Sequence, residues 1–218
     1  KNYRSALARM TYVAAGEGSE VYSPLHTFYG FRYLELSADA DVEIELVAGE
    51  VVSSVMRETG IIETDNPEVN RLISNIIWGM RGNYLSVPTD CPQRDERLGW
   101  TGDTQIFCGA ASYLCDTRSF LKKWLGDARD SQRGEGGAYC DVIPRVFPGR
   151  NNANAAWGDA GLIVPWRLWL MYRDIDTIAE HYASMEEYMR HLESYGLEGP
   201  NTAYGDWLNY EKTDKRYI

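Results

Sequence analysis

The sequence predicts a chain of mixed class, α+β by content but mostly α: the closing strands of a β-domain over residues 1–58, followed by the first helices of an incomplete helical ring over residues 59–218. Three observations carry this. The hydrophobic period is two through about residue 56 and helical beyond it. Gly16, Gly18, Pro24, Gly30 and Gly49 punctuate the front runs as turns do. Two connections of about twenty residues, 83–102 and 134–154, alternate with short breaks such as that near Asp116. That alternation is the pattern of α-hairpins whose loops gather at one end, where an (α/α) toroid builds its site.

In the front part, Val42, Ile44 and Leu46 alternate with Glu43 and Glu45. Phe31, Tyr33 and Glu35 face opposite to Arg32, Leu34 and Leu36. Three or four strands fit, too few to close a sandwich alone, so they are expected to end a β-domain whose earlier strands lie upstream. The first helix carries Val69, Leu72, Ile73, Ile76, Ile77 and Met80 on one face, with Asn66 as N-cap and Pro67 at its first position. A second places Ile106, Phe107, Ala110, Ala111 and Leu114 together, and a third Phe120, Leu121, Trp124, Leu125 and Ala128. A fourth runs from about Asp159 to Tyr172, with Pro165 either kinking it or sitting near its start. The fifth carries Ile178, Tyr182, Met185, Met189 and Leu192. Five helices do not close a ring, so the chain is expected to be a fragment of a longer polypeptide. Lys1 and the uncapped Lys-Arg-Tyr-Ile end fit that expectation.

Composition excludes some classes. The net charge of -10, with no Lys/Arg cluster, argues against a nucleic-acid partner. No run of about 18 apolar residues is present to span a membrane. Cytoplasmic and periplasmic placement both stay open. Cys91, Cys108, Cys115 and Cys140 form no Cys-x-x-Cys pair and are expected to be free thiols in or near the core. His26, His181 and His191 have no metal-ligand spacing and read as structural or exposed. No cofactor or metal is expected, and no phosphate-loop, dinucleotide, nucleophile-elbow or zinc-protease motif occurs.

The chemistry concentrates in Val87–Asp103. It holds Asp90, Asp95, Glu96 and Asp103, with Arg94 and Arg97 between them and Trp100 close by. Pro88 and Pro92 stiffen it; Gly99 and Gly102 permit tight turns. Glycoside hydrolysis needs two carboxyl groups in different environments, one of them protonated near neutral pH. Acidic neighbours and an aromatic wall push a Glu such as Glu96 that way, and Arg94 and Arg97 oppose it. The loop is equally readable as a solvated mixed-charge surface, and Asp103 as a helix cap. Among seven Trp, Trp100, Trp157 and Trp207 each sit beside an acid in a Gly-containing loop, as sugar-stacking residues do. Trp78, Trp124, Trp166 and Trp169 fall in helical runs and read as core.

The segment Asp90-Cys-Pro-Gln-Arg-Asp-Glu-Arg-Leu-Gly-Trp-Thr-Gly-Asp103 resembles the signature of the bacterial α-L-rhamnosidases of glycoside hydrolase family 78. Phe28–Leu36, Cys140–Pro144, Ala156–Ala160 and Gly205–Trp207 also resemble landmarks of that family, in its order. The resemblance implies a β-sandwich leading into an (α/α)6 barrel, and inverting hydrolysis of terminal α-L-rhamnose from a rhamnose-containing glycoside or polysaccharide. Glu96 matches the general acid, and Asp90, Arg94, Trp100 and Asp103 match the rhamnose pocket. By the same resemblance Trp157, Asp159 and Trp207 are further pocket residues, whereas Asp95 and Arg97 read as supports of the loop. The family's general base is a Glu later in the barrel, so the chain alone is expected to be inactive. An incomplete barrel would also favour self-association through exposed helix faces. Another (α/α)6 glycosidase, a non-catalytic carbohydrate-binding protein and a structural helical domain are the competing readings.

Overall fold

A computed structural model of the chain describes residues 7–55, 57–146, 153–195 and 204. It is mostly helical, with α1 Pro67–Asn83, a two-strand antiparallel hairpin of β1 Tyr84–Leu85 and β2 Val87–Pro88, α2 Thr101–Leu114, α3 Arg118–Gln132, α4 Ala160–Tyr172 and α5 Ile175–Tyr195.

Helix ends follow local chemistry. Asn66 is extended, and its side-chain oxygen accepts from the Glu68 N–H at 2.9 Å and the Val69 N–H at 3.4 Å, ahead of Pro67. α4 begins after Asp159 and ends at Tyr172, where Arg173 turns left-handed with φ 57°. Pro165 lies inside α4 and is buried; its missing N–H removes the helical bond to the Gly161 carbonyl. Asp174 is fully buried at the α4–α5 turn. It accepts from the Thr177 N–H at 3.1 Å and holds Arg118 at 2.7 Å and Lys122 at 3.4 Å. Those cations and donors hold its carboxyl well below the usual range, with the Arg118 bond the largest cause.

The core lies where α4 packs against α2, α3 and α5. α3 buries the five residues expected of it, Phe120, Leu121, Trp124, Leu125 and Ala128. Val164 and Leu168 of α4 join Cys108 and Ala111 of α2, Tyr139 and Tyr188. All four cysteines are free thiols; Cys108, Cys115 and Cys140 are buried. His181 is buried and His26 exposed.

Several expectations need correction. No strand forms among the described residues 7–55, whose side chains are largely exposed. A period-two pattern makes a strand only when a neighbour offers backbone partners, and none is paired here. The front segment instead docks at its end: Val55 is buried, and the Ser54 N–H donates to the Tyr84 carbonyl at 2.7 Å. α2 does not bury the face expected of it. Ile106 is 79% exposed, and the buried face is Thr101, Thr104, Gln105, Cys108, Ala111, Ser112 and Leu114. α5 likewise buries Thr177, His181, Ser184 and Tyr188, leaving Tyr182 and Met189 exposed. Several of these inward polar side chains have hydrogen-bond partners: Thr104 on the Trp100 carbonyl, Ser112 on the Cys108 carbonyl and Thr117, and Ser184 on the His181 carbonyl and Tyr139. Of the four helical tryptophans only Trp124 is core; Trp78 and Trp166 are each 52% exposed. In α1 only Met80 is buried.

α4 approaches the loop before it closely enough that a Cβ on Gly161 would lie 2.1 Å from Cε2 of Tyr139. That ring cannot yield: its hydroxyl donates to Ser184 Oγ at 2.8 Å, and it packs on Tyr188. Gly161→Ala is therefore expected to destabilise by about 1–3 kcal/mol through overpacking, despite the better helix propensity of Ala. Gly126→Ala, where nothing lies within 4 Å, should not destabilise. Urea unfolding of both variants checks this; equal effects would reject the close-packing account.

Candidate active site

The two long loops are built against each other. Asp90 N–H donates to the Leu98 carbonyl at 3.1 Å, closing the first loop on itself. Trp100 then bridges Val142 of the second loop, and the Ile143 N–H donates to the Gly99 carbonyl at 2.9 Å. The Asp141 carbonyl accepts from both the Thr101 N–H at 2.9 Å and the Thr101 hydroxyl at 3.0 Å, satisfying the first donor of α2. The front segment adds a third support. Gly30 N–H donates to the Pro92 carbonyl at 3.2 Å, and the Arg97 guanidinium lies over the Phe28 ring at 4.8 Å.

Within this frame Asp90, Arg94 and Glu96 come together. Arg94 Nη1 lies 3.2 Å from Glu96 Oε1 and 3.9 Å from Asp90 Oδ2, and both carboxylates are mostly buried. Cys91 Sγ donates to Asp90 Oδ2 at 3.1 Å; burial first, and then Asp90, push that thiol up to about 12. Asp90, Cys91 and Glu96 place one donor atom each within 4.8 Å of one another, close enough to share a cation. The Arg94 guanidinium already supplies positive charge at that place.

Beside the cluster lies a cavity of about 580 Å³, a size suited to a small ligand. Asp90, Asp103 and Trp157 stand on its wall with Gly102, Gln105 and Phe107. Asp103 is not the cap of α2: Trp100 holds that position and makes no side-chain bond there. Surrounding protein raises the Asp103 pKa, and the Asp90 charge adds to the rise. Trp100 and Trp157 converge on one ring, Tyr204, at centroid distances of 6.0 Å and 4.6 Å.

The remaining residues singled out in sequence fall elsewhere. Arg94, Glu96 and Trp100 adjoin the cavity wall without lining it. Asp159 Oδ2 accepts from the Ala156 N–H at 2.8 Å and Oδ1 from the Tyr188 hydroxyl at 3.0 Å. Trp207 lies outside the described residues. Sequence reasoning passed over Asp141, Asn154, Gln105 and Tyr204. Gln105 donates from Nε2 to the Ala156 carbonyl at 2.5 Å. Asp141 sits in the Cys140–Pro144 run, and Tyr204 beside Gly205-Asp-Trp207, so the landmarks were visible but their members were not ranked.

Helices that gather a carboxylate cluster and an aromatic wall at their long loops place the chain among helical-hairpin domains, and sequence comparison specifies the family. The bacterial alpha-L-rhamnosidase six-hairpin glycosidase domain matches residues 57–218, and the bacterial alpha-L-rhamnosidase concanavalin-like domain matches residues 1–57. The chain belongs to the bacterial α-L-rhamnosidase family. It is 46% identical over its whole length to an alpha-L-rhamnosidase of Streptomyces avermitilis, of which it covers 21%. It is 37% identical over 95% of its length to one of Formosa agariphila, of which it covers 23%. The chain thus spans about a fifth of the length of these curated relatives. Among solved structures, the Streptomyces avermitilis alpha-L-rhamnosidase complexed with L-rhamnose superposes with a TM-score of 0.69 at 47% identity, covering 75% of this chain and 16% of that one. The Dictyoglumus thermophilum alpha-L-rhamnosidase gives 0.64 at 36% identity, covering 72% and 18%.

One titrating group offers a direct test of how the loops are held. Asp141 is fully buried; burial raises its carboxyl to about 7, opposed by two Asn154 N–H donors. An unfolded aspartate titrates near ~3.9. Between those values the folded state keeps a proton that the unfolded chain has lost, so this group's contribution to stability declines as pH rises from about 4 to about 7. Asp141→Asn is therefore expected to gain stability relative to the natural sequence across that interval. Thermal midpoints of both at stepped pH measure it, and a pH-independent difference would reject the assignment.

Proposed function

We propose that the chain is part of an inverting α-L-rhamnosidase that releases terminal α-L-rhamnose from a glycoside or polysaccharide. The observation that carries this reading is the Asp90–Arg94–Glu96 cluster beside a cavity walled by Asp90, Asp103 and Trp157, in a member of this family. Rhamnose also enters the argument through the structural neighbour from Streptomyces avermitilis, which is complexed with it.

In this reading Glu96 is the general acid that protonates the departing glycosidic oxygen. Asp90 and Asp103 accept hydrogen bonds from the sugar hydroxyls, and Arg94 fixes the carboxylates of Asp90 and Glu96 in one geometry. Trp100, Trp157 and Trp207 offer indole faces to the apolar C–H side of the ring. Asp159 stands behind that wall, with its oxygens on the Ala156 N–H and the Tyr188 hydroxyl. Inversion needs a second carboxylate about 6.5–9.5 Å from the acid, with water between them. We assign that base to a part of the enzyme outside these 218 residues, since the chain spans about a fifth of its relatives. Residues 1–58 serve as the closing strands of the β-sandwich, pairing with strands supplied by the rest of the enzyme, and residues 59–218 as the opening of the barrel.

In the whole enzyme, Glu96→Gln should lower kcat by about 10²–10⁴-fold on alkyl or glycosyl rhamnosides, and less on aryl rhamnosides whose leaving group needs no proton. Binding of L-rhamnose should persist. An unchanged rate on poor leaving groups would remove Glu96 from the acid role. Residues 1–218 on their own should release no rhamnose, and turnover matching the whole enzyme's would sink the external-base assignment.

A further inference from the structure

Trp157 stands on the cavity wall, but its orientation is decided elsewhere. A Cβ on Gly102 would meet its Nε1 at 2.9 Å and Cε2 at 3.0 Å, so the indole edge rests directly on the backbone of α2. The preceding residue, Ala156, has φ 66°, in the left-handed region that a residue with a Cβ rarely adopts. Such a conformation persists only where its surroundings over-determine it. They do so here from both sides. The Ala156 N–H donates to Asp159 Oδ2 at 2.8 Å, and its carbonyl accepts from Gln105 Nε2 at 2.5 Å. The Trp157 N–H donates to the Asn154 carbonyl at 3.0 Å.

Asp159 is held in turn by the Tyr188 hydroxyl, at 3.0 Å from Oδ1. Tyr188 is fully buried on α5, packs on Tyr139 and does not line the cavity. Burial raises its phenol pKa, with the Asp159 charge adding to the rise, so it remains a donor at any working pH. Both Asp159 oxygens are thus engaged by this chain's own donors, and Asp159 is absent from the cavity wall.

We propose that Tyr188 and Asp159 are positioning residues: acting through the Ala156 peptide, they hold the Trp157 indole against Gly102 and so set the sugar-facing wall of the cavity. The inference rests on the reading that this cavity receives rhamnose. A stacked wall contributes similarly to the ground and transition states, so its displacement raises KM and leaves kcat near its original value.

The test uses the whole enzyme. Tyr188→Phe removes one hydroxyl and keeps the ring. KM for an aryl α-L-rhamnoside is expected to rise about tenfold with kcat within about twofold, the scale of one lost charge-assisted hydrogen bond. Asp159→Asn should do the same, and the two together should fall short of additivity. In a Trp157→Ala background, Tyr188→Phe should change KM no further. An unchanged KM in Tyr188→Phe would overturn the proposal, as would the same rise in the Trp157→Ala background. A second readout is independent of turnover. With 5-fluorotryptophan incorporated, the fluorine resonance that Trp157→Phe deletes should shift in Tyr188→Phe; an unmoved resonance overturns the positioning role. A natural enzyme that neither cleaves α-L-rhamnosides nor binds L-rhamnose would instead overturn the functional reading, and the resonance would still decide the positioning.

Discussion

The Asp141 main-chain carbonyl accepts from both the N–H and the hydroxyl of Thr101, while its carboxylate grips the backbone and side-chain amides of Asn154. Everything that faces the cavity depends on this node. The first turn of a helix has N–H groups with no partner inside the helix, and a loop of some twenty residues has many more groups to satisfy. The chain meets both demands by pairing its two long loops with each other. From Thr101 one path leads back to Trp100 and the Asp90–Glu96 cluster. From Asn154 another leads to the turn carrying Trp157. A displaced Asp141 would therefore move both walls together.

Charge inside the site is balanced locally although the chain as a whole is acidic. Arg94 sits between Asp90 and Glu96, whereas Arg97, three residues on, is drawn away over Phe28 and Tyr29 of the front segment. Two arginines that look equivalent in sequence thus do different work. One lies between two mostly buried carboxyl groups, and the other ties the front segment to the loop. Asp103, exposed on the cavity wall, has no such cation among its influences, and the surrounding protein and the Asp90 charge raise its pKa. Carboxyl groups a few residues apart are thus left in distinct electrostatic surroundings.

Much of the helical scaffold was legible because its signals are local. Asn66-Pro67 announces the start of α1, and Asp159–Tyr172 frames α4 to within a residue. The buried faces of α2 and α5 were not legible, for a physical reason. Periodicity counts apolar side chains, but here Gln132 donates to the Ser184 carbonyl, Tyr139 to Ser184 Oγ, and Ser112 pairs with Thr117. Polar residues bury more readily where they find partners, and some of those partners come from other elements that a single-sequence pattern does not join. The displaced apolar residues, Ile106 and Tyr182 among them, lie on the outer faces. Among the described residues 7–55 no ladder forms for a related reason: alternation records which side each residue prefers, and a ladder additionally needs a neighbour.

Asp103 and Asp159 show where sequence stops separating a ligand from a strut. Each follows a Gly beside a Trp, in Trp-Thr-Gly-Asp and Trp-Gly-Asp, and composition gives no reason to treat them differently. An inventory of donors does. Asp159 has one oxygen on the Ala156 N–H and the other on the Tyr188 hydroxyl, so its strongest acceptor directions are already used. Asp103 is exposed on a cavity wall, and its own backbone N–H is the one donor that acts on it among the described residues. A carboxylate exposed on a cavity wall with few donors from its own chain is open to donors from elsewhere, and sugar hydroxyls are donors of that kind. A carboxylate fully supplied by its own chain is arranged to hold that chain still. Asp90 also stands on the wall; its Oδ1 is buried with no hydrogen-bond partner among the described residues, while Oδ2 takes the Cys91 thiol and faces Arg94, and this places it with Asp103 and not with Asp159.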